Sequence, residues 1–161
     1  MSQKPPLPFE RHCALGRMLY TSRNTVLAIS VFVGDTYRTT AMRRCNRLLR
    51  AIDRLRSDLD TQLFRDYTAP LTVTDLVTDL VHVYYPGDAD KDTTDWDLAR
   101  ACAALAALGK TCHAQVPALW KACPVAIGDR LVRIAQSSTY LAEELPFVVG
   151  SPRHARRKKA G

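Results

Sequence analysis

The sequence predicts an all-α chain: a single-domain antiparallel helical bundle of five or six helices with a short basic tail. Three observations carry that expectation. Apolar residues recur at the 3.6-residue period through most of the chain. Gly34, Pro70, Pro86-Gly87, Gly109 and Pro146 follow the periodic segments, where chain breaks belong. The one β-branched run that could be a strand has no convincing partner strand elsewhere, and a lone strand has nowhere to put its hydrogen bonds. A length of 161 residues fits one domain, and 47% hydrophobic content suffices for a core without disulfides or a metal.

Taken in order, residues 1–8 read as an extended, Pro-rich lead-in and 9–149 as the bundle domain. A first helix is expected from about Phe9 to about Val33, with Cys13, Leu15, Met18, Leu19, Val26, Ile29 and Phe32 as its apolar positions. Its second half, Val26 to Val33, is the ambiguous stretch, and the missing partner strand favours helix. A second helix spans about Thr39 to Tyr67 and stops before Pro70. A third follows Thr72, where Val73, Leu76, Val77, Leu80, Val81 and Tyr84 repeat at helical spacing up to Pro86-Gly87. Thr94 and Asp97 resemble a capping box opening an Ala-rich helix, Leu98 to Leu108, with Gly109 as its stop. Pro117 and Pro124 each suit a first helical position. The last helix places Ile127, Leu131, Ile134, Ala135, Ser138, Leu141 and Leu145 on one face and breaks at Pro146. Trp96 and Trp120 are expected as core anchors. Residues 150–161 form the basic tail, too short and polar to enter a core, and are expected to be flexible.

Charge is zoned. The net +7 of the chain hides seven arginines against Asp53 alone between Arg38 and Arg56, a local net of +6. Ten aspartates against Arg65 and Lys91 follow between Ser57 and Asp97, a net of −8, and the tail adds +5. The most informative pattern lies in the first zone. Arg43, Arg47, Arg50 and Arg54 stand at i, i+4, i+7 and i+11, one face of the second helix, with Arg44 beside them. Cys45, Leu48, Leu49, Ile52, Leu55, Leu59 and Leu63 make the opposite, apolar stripe. The row spans about 16 Å at 1.5 Å per residue, enough to meet two or three successive phosphates. Arginine suits phosphate because its planar fork donates two parallel hydrogen bonds. A solvated face, pairing with the chain's own aspartates such as Asp58, and an acidic protein partner are the competing readings.

The tail residues Arg153, Arg156, Arg157, Lys158 and Lys159 make a second basic element resembling a nucleic-acid-binding arm or a nuclear localisation patch. Aromatic interleaving is absent around both patches in sequence, which favours backbone and shape contacts over base stacking.

Other chemistries lack their signatures. Asp88, Asp90 and Asp92 begin like an EF-hand loop, but Thr93 stands where glycine is needed and Ala99 where glutamate is needed. Cys102, Cys112, His113 and Cys123 lack zinc-site spacing, and neither Cys112-His113 nor His12-Cys13 can face each other as helix neighbours. Asp75 and Asp79 share a helix face that reads as a solvated stripe. No histidine has an arginine five to seven positions upstream, so the HEPN ribonuclease signature is absent. Seven scattered glycines exclude a Walker or dinucleotide fingerprint. No cofactor or metal is expected. Five cysteines without CxxC pairing read as buried thiols of a reducing compartment, with Cys13, Cys45 and Cys102 on buried faces. Without a secretory signal or an apolar run beyond eight positions, the chain is expected to be soluble and cytoplasmic, or nuclear in a eukaryote, and not to bind membranes.

In outline the sequence is similar to RNA-binding accessory subunits that attach to a larger catalytic protein, a likeness of shape and charge only. It implies a non-enzymatic accessory protein binding RNA or DNA backbone, within a larger complex or as a homo-oligomer whose acidic 57–97 region meets the arginine row of another copy. The alternative is a protein-interaction module whose basic face docks on an acidic partner.

Overall fold

The computed structural model describes residues 4–37, 39–67, 80–87 and 92–150. Among them the chain is helical, with no strand: α1 (Phe9–Thr36), α2 (Thr39–Tyr67), α3 (described over 80–84), α4 (Leu98–Ala122) and α5 (Val125–Val148). The β-branched run is part of α1. Val26, Ile29 and Val33 at i, i+3 and i+7 turn to one face and are fully buried, a placement only the helical period allows. Helix also satisfies within the segment the backbone groups that an unpaired strand would orphan.

Cross-helix contacts fix the relative directions. Between α1 and α2, Phe9 meets the Tyr67 ring edge-on at 5.7 Å, Arg23 Nε donates to Asp53 Oδ1 at 2.7 Å, and Ser30 Oγ donates to Asn46 Oδ1 at 2.6 Å. Numbers rise along α1 as they fall along α2, so the pair is antiparallel, as the two residues between them require. Similarly, Gly109 of α4 faces Ala135 and Thr139 of α5, and Trp120 Nε1 donates to Asp129 Oδ1 at 3.1 Å. Helix α2 in turn packs on α5, with Arg44 paired to Glu144 and Asp58 to Arg130, while α1 touches α4. Leu19, Ile29, Ile52, Leu55, Leu59, Leu105, Leu119 and Leu131 are among the large aliphatic side chains of the shared core.

The end of α3 is held by α2 and α1. Arg56, only 5% exposed, donates from Nε and Nη2 to the Tyr84 carbonyl at 3.0 and 2.6 Å and lies 4.6 Å from the Tyr85 ring centroid. A guanidinium here satisfies a helix-end carbonyl that has no intrahelical donor. Gly16 of α1 lets the Val83 carbonyl approach so closely that any Cβ would collide with it.

Several sequence expectations need correction. Gly109 is not a helix stop: α4 continues through it to Ala122. Gly109 is buried at the α4/α5 seam, where a Cβ would collide with Thr139 Oγ1 and stand 3.0 Å from the Ala135 carbonyl oxygen. The glycine is there for close helix approach. Gly109→Val is therefore expected to lower stability by about 1–3 kcal/mol in urea denaturation, although the same change in an exposed helix would add helix propensity. Pro117 and Pro146 lie inside α4 and α5 and neither starts nor ends a helix. Both prolines are exposed, and His113, whose carbonyl loses its intrahelical donor at Pro117, is exposed as well. Pro124 is the N-cap of α5, one position before the expected place, and Asp97 itself caps α4, accepting from the Arg100 N–H at 2.7 Å.

Trp120 is not a core anchor. It is 45% exposed, because its indole N–H is spent on Asp129 at the α4/α5 surface, whereas Trp96 does pack against the core. Of the cysteines, Cys45, Cys112 and Cys123 are buried and Cys13 and Cys102 only half-buried; all five are free. Burial pushes the Cys45 thiol up to about 11 and Cys112 up to about 12, so both stay protonated near neutrality. The expected third helix lies outside the described residues over 72–79, and so do Asp75, Asp79, the 88–91 loop and the basic tail.

Candidate nucleic-acid interface

Helix α2 has the two faces that its period predicts. Cys45, Leu48, Ile52, Leu55, Leu59 and Leu63 are buried, and Leu49 packs at the core margin. Arg43, Arg47, Arg50 and Arg54 are exposed. Among the described residues Arg43, Arg47 and Arg54 meet no carboxylate, and Arg50 only reaches back to the Asn46 carbonyl at 3.4 Å. Arg44 is different in kind: half-buried, it is committed to Glu144 across the α2/α5 seam. Its charge ties the helices together and is not part of the free row.

Tertiary packing adds two arginines that the sequence reading did not single out. The α2/α5 seam opens into a groove of about 320 Å³ lined by Arg47, Arg50 and Arg54 from α2 and by Arg130 and Arg133 from α5, with the short Ala51 between the walls. Arg130 is paired with Asp58, the aspartate that the sequence offered as a partner for Arg54. Arg133 is exposed and meets no carboxylate among the described residues. The signal was present as an i, i+3 arginine pair beside the Leu131–Ile134 stripe, but pairing it with α2 required the helix packing. A second depression of about 280 Å³ continues the groove past Arg47 and Ala51 to Leu48, Ser137, Tyr140 and Glu144. Tyr140 is 60% exposed, so an aromatic face does stand beside the arginines in space, contrary to the sequence expectation.

Among the described residues, several aspartates are partnered within the chain. Asp53 accepts from Arg23 and Arg56, Asp58 from Arg130, Asp66 from Gln62, and Asp92 from the Thr94 N–H and Trp96. The Thr94 backbone N–H holds the Asp92 carboxyl below its usual range.

A separate polar cluster sits inside the α1/α2/α3 junction. The Tyr84 O–H donates to His12 Nδ1 at 2.6 Å, and His12 Nε2 faces Asp66 Oδ2 at 3.5 Å. This tautomer follows from the carboxylate being acceptor-only. Both His12 and Tyr84 are fully buried, so the cluster is closed to a substrate. Burial lowers the His12 pKa from its ordinary 6.5, outweighing the raising effect of Asp66. The folded state thus keeps His12 neutral where the unfolded chain would protonate it. Its contribution to stability is complete above about pH 6.5 and is lost as pH falls from there through the lower folded value. Asp60 acts in the opposite sense, since burial raises its carboxyl above 3.8. We expect Tm to fall between about pH 7 and pH 5, with a shallower fall in His12→Gln; parallel curves would remove His12 from the acid response.

No group of three or more histidine, cysteine, aspartate or glutamate side chains among the described residues is arranged to hold a metal ion. No described helix is long and apolar enough to cross a membrane. The chain matches no protein-family model, no curated protein and no solved structure.

Proposed function

We propose that this chain is a non-enzymatic accessory protein, a single-domain antiparallel bundle with a basic tail, that binds RNA or DNA backbone through the α2/α5 groove. The observation that carries the reading is the convergence of Arg47, Arg50, Arg54, Arg130 and Arg133 on one open groove, with Asp58 committed to Arg130 and Glu144 of the adjoining depression committed to Arg44. Like charges held close repel, and an anion that neutralises them relieves the repulsion. Guanidinium forks match phosphate oxygens, and sequence-independent nucleic-acid binding rests on such contacts. Arg43 extends the row beyond the groove, and the tail residues Arg153, Arg156, Arg157, Lys158 and Lys159 add a second cationic element that strengthens binding without specificity.

One observation favours a second reading, docking on an acidic protein partner in a larger complex. Tyr140 is 60% exposed beside the basic groove and Phe147, seven residues further along α5, is 87% exposed, an apolar and cationic combination that suits a protein interface. Fluorescence anisotropy with labelled single- and double-stranded RNA and DNA over a salt series separates the two. Nucleic-acid binding requires saturable association whose salt slope flattens when the groove arginines are reversed. Absence of association with every strand would leave the protein-partner reading.

A further inference from the structure

The shape of the arginine groove points to more than backbone contact. A row on one helix would track phosphates one after another along a strand. Here α5 sets a second cationic wall against the first, so that five arginines and Ala51 line one open space of about 320 Å³. Asp58 compensates Arg130, and four cations remain without a carboxylate among the described residues. An internal phosphodiester brings one negative charge per nucleotide, too few within so small a space to match them. A terminal di- or triphosphate concentrates several charges on adjacent phosphorus atoms, each with oxygens that can accept a bidentate fork. Beside this space, sharing Arg47 and Ala51 with it, lies the exposed ring of Tyr140. It stands seven residues along α5 from Arg133, about 10 Å at 1.5 Å per residue, the reach of an extended triphosphate and its sugar. Its face is free to stack a base.

We propose that the α2/α5 groove binds the terminal polyphosphate of a nucleotide, either free or at the 5′ end of a single strand, with the first base on Tyr140. This rests on the polyanion-binding reading above and narrows it to a chain end.

The test uses the full chain and one short single-stranded RNA, labelled at its 3′ end and carrying a 5′ hydroxyl, monophosphate or triphosphate, with inorganic tripolyphosphate and a nucleoside triphosphate as competitors. The triphosphate strand should bind about tenfold or more tighter than the hydroxyl strand, since each added phosphate neutralised releases further counterion. Tripolyphosphate should displace it and raise Tm. Arg133→Gln, at an exposed position, should bring the three strands to similar affinity while leaving the circular dichroism unchanged, and Tyr140→Ala should weaken the nucleoside triphosphate more than tripolyphosphate. Equal binding of all three strands, lost on reversal of the α2 arginines, would overturn the chain-end proposal and leave backbone binding in place. Binding of tripolyphosphate and nucleoside triphosphate with no strand binding would uphold the polyphosphate site and overturn the nucleic-acid reading. No binding by any probe would overturn both.

Discussion

Replacing Arg47, Arg50 and Arg54 together with glutamate is expected to weaken nucleic-acid binding by about 100- to 500-fold at 0.1 M salt. The estimate follows from counterion release. Each phosphate contact contributes a log–log salt slope of about 0.9 on a duplex and about 0.7 on a single strand. Losing three contacts at 0.1 M then removes about 2.1 to 2.7 orders of magnitude and flattens the slope by the same number. Reversal also places carboxylates in the path of the strand, so the loss is a lower limit. The fold should survive, because all three side chains are exposed and none bonds to a carboxylate among the described residues. Circular dichroism and Tm therefore serve as the control. If wild type binds nucleic acid and the folded variant binds equally well with an unchanged salt slope, the groove is not the interface.

Tyr84→Ala should be the most destabilising single change outside the interface, at about 4–8 kcal/mol. Tyr84 is fully exposed to the protein interior and closed to solvent, with its ring edge-on to His12 at 5.8 Å. Truncating a large buried aromatic costs about 3–5 kcal/mol through lost burial and the cavity left behind. Removing the phenol also strands His12 Nδ1 without its donor, for about 1–3 kcal/mol more. Tyr84→Phe isolates that second contribution, since it keeps the ring and deletes the 2.6 Å bond. Against a typical domain stability of 5–15 kcal/mol, the alanine variant should be largely unfolded at moderate urea, while the phenylalanine variant shifts the midpoint modestly. Equal midpoints for wild type and Tyr84→Phe would show that the buried bond contributes no net stability.

The two expectations draw on different levels of information. The faces of α2 were legible in the sequence because a helix imposes one period on every residue it contains: Arg43, Arg47, Arg50 and Arg54 at helical spacing had to share a side, and Ile52, Leu55 and Leu59 had to share the opposite one. Its limits, Thr39 to Tyr67, agree with the expected ones for the same reason. The helical state of Val26–Val33 was legible by elimination, through the hydrogen bonds a lone strand could not make.

Helix ends were less legible wherever a breaker residue had a packing role. Gly109 carries a local signal of termination and Pro117 one of helix initiation, yet α4 runs through both, because one lies at a seam too tight for a side chain and the other faces solvent. Local propensity is worth about 1 kcal/mol for glycine, and a well-packed seam outweighs it.

By itself, then, the sequence determined that the described chain is all-helical, which face of α2 is buried, and that a row of cations is offered on the other. Only the tertiary structure decided that Arg44 belongs to an ion pair with Glu144, that Arg56 is a buried cap on Tyr84, and that Arg130, Arg133 and Tyr140 stand beside Arg47 and Arg50. The physical reason is range. Helical periodicity couples residues three or four apart, so it is written into any short stretch of sequence, whereas the groove joins residues some eighty positions apart through the antiparallel packing of α2 on α5.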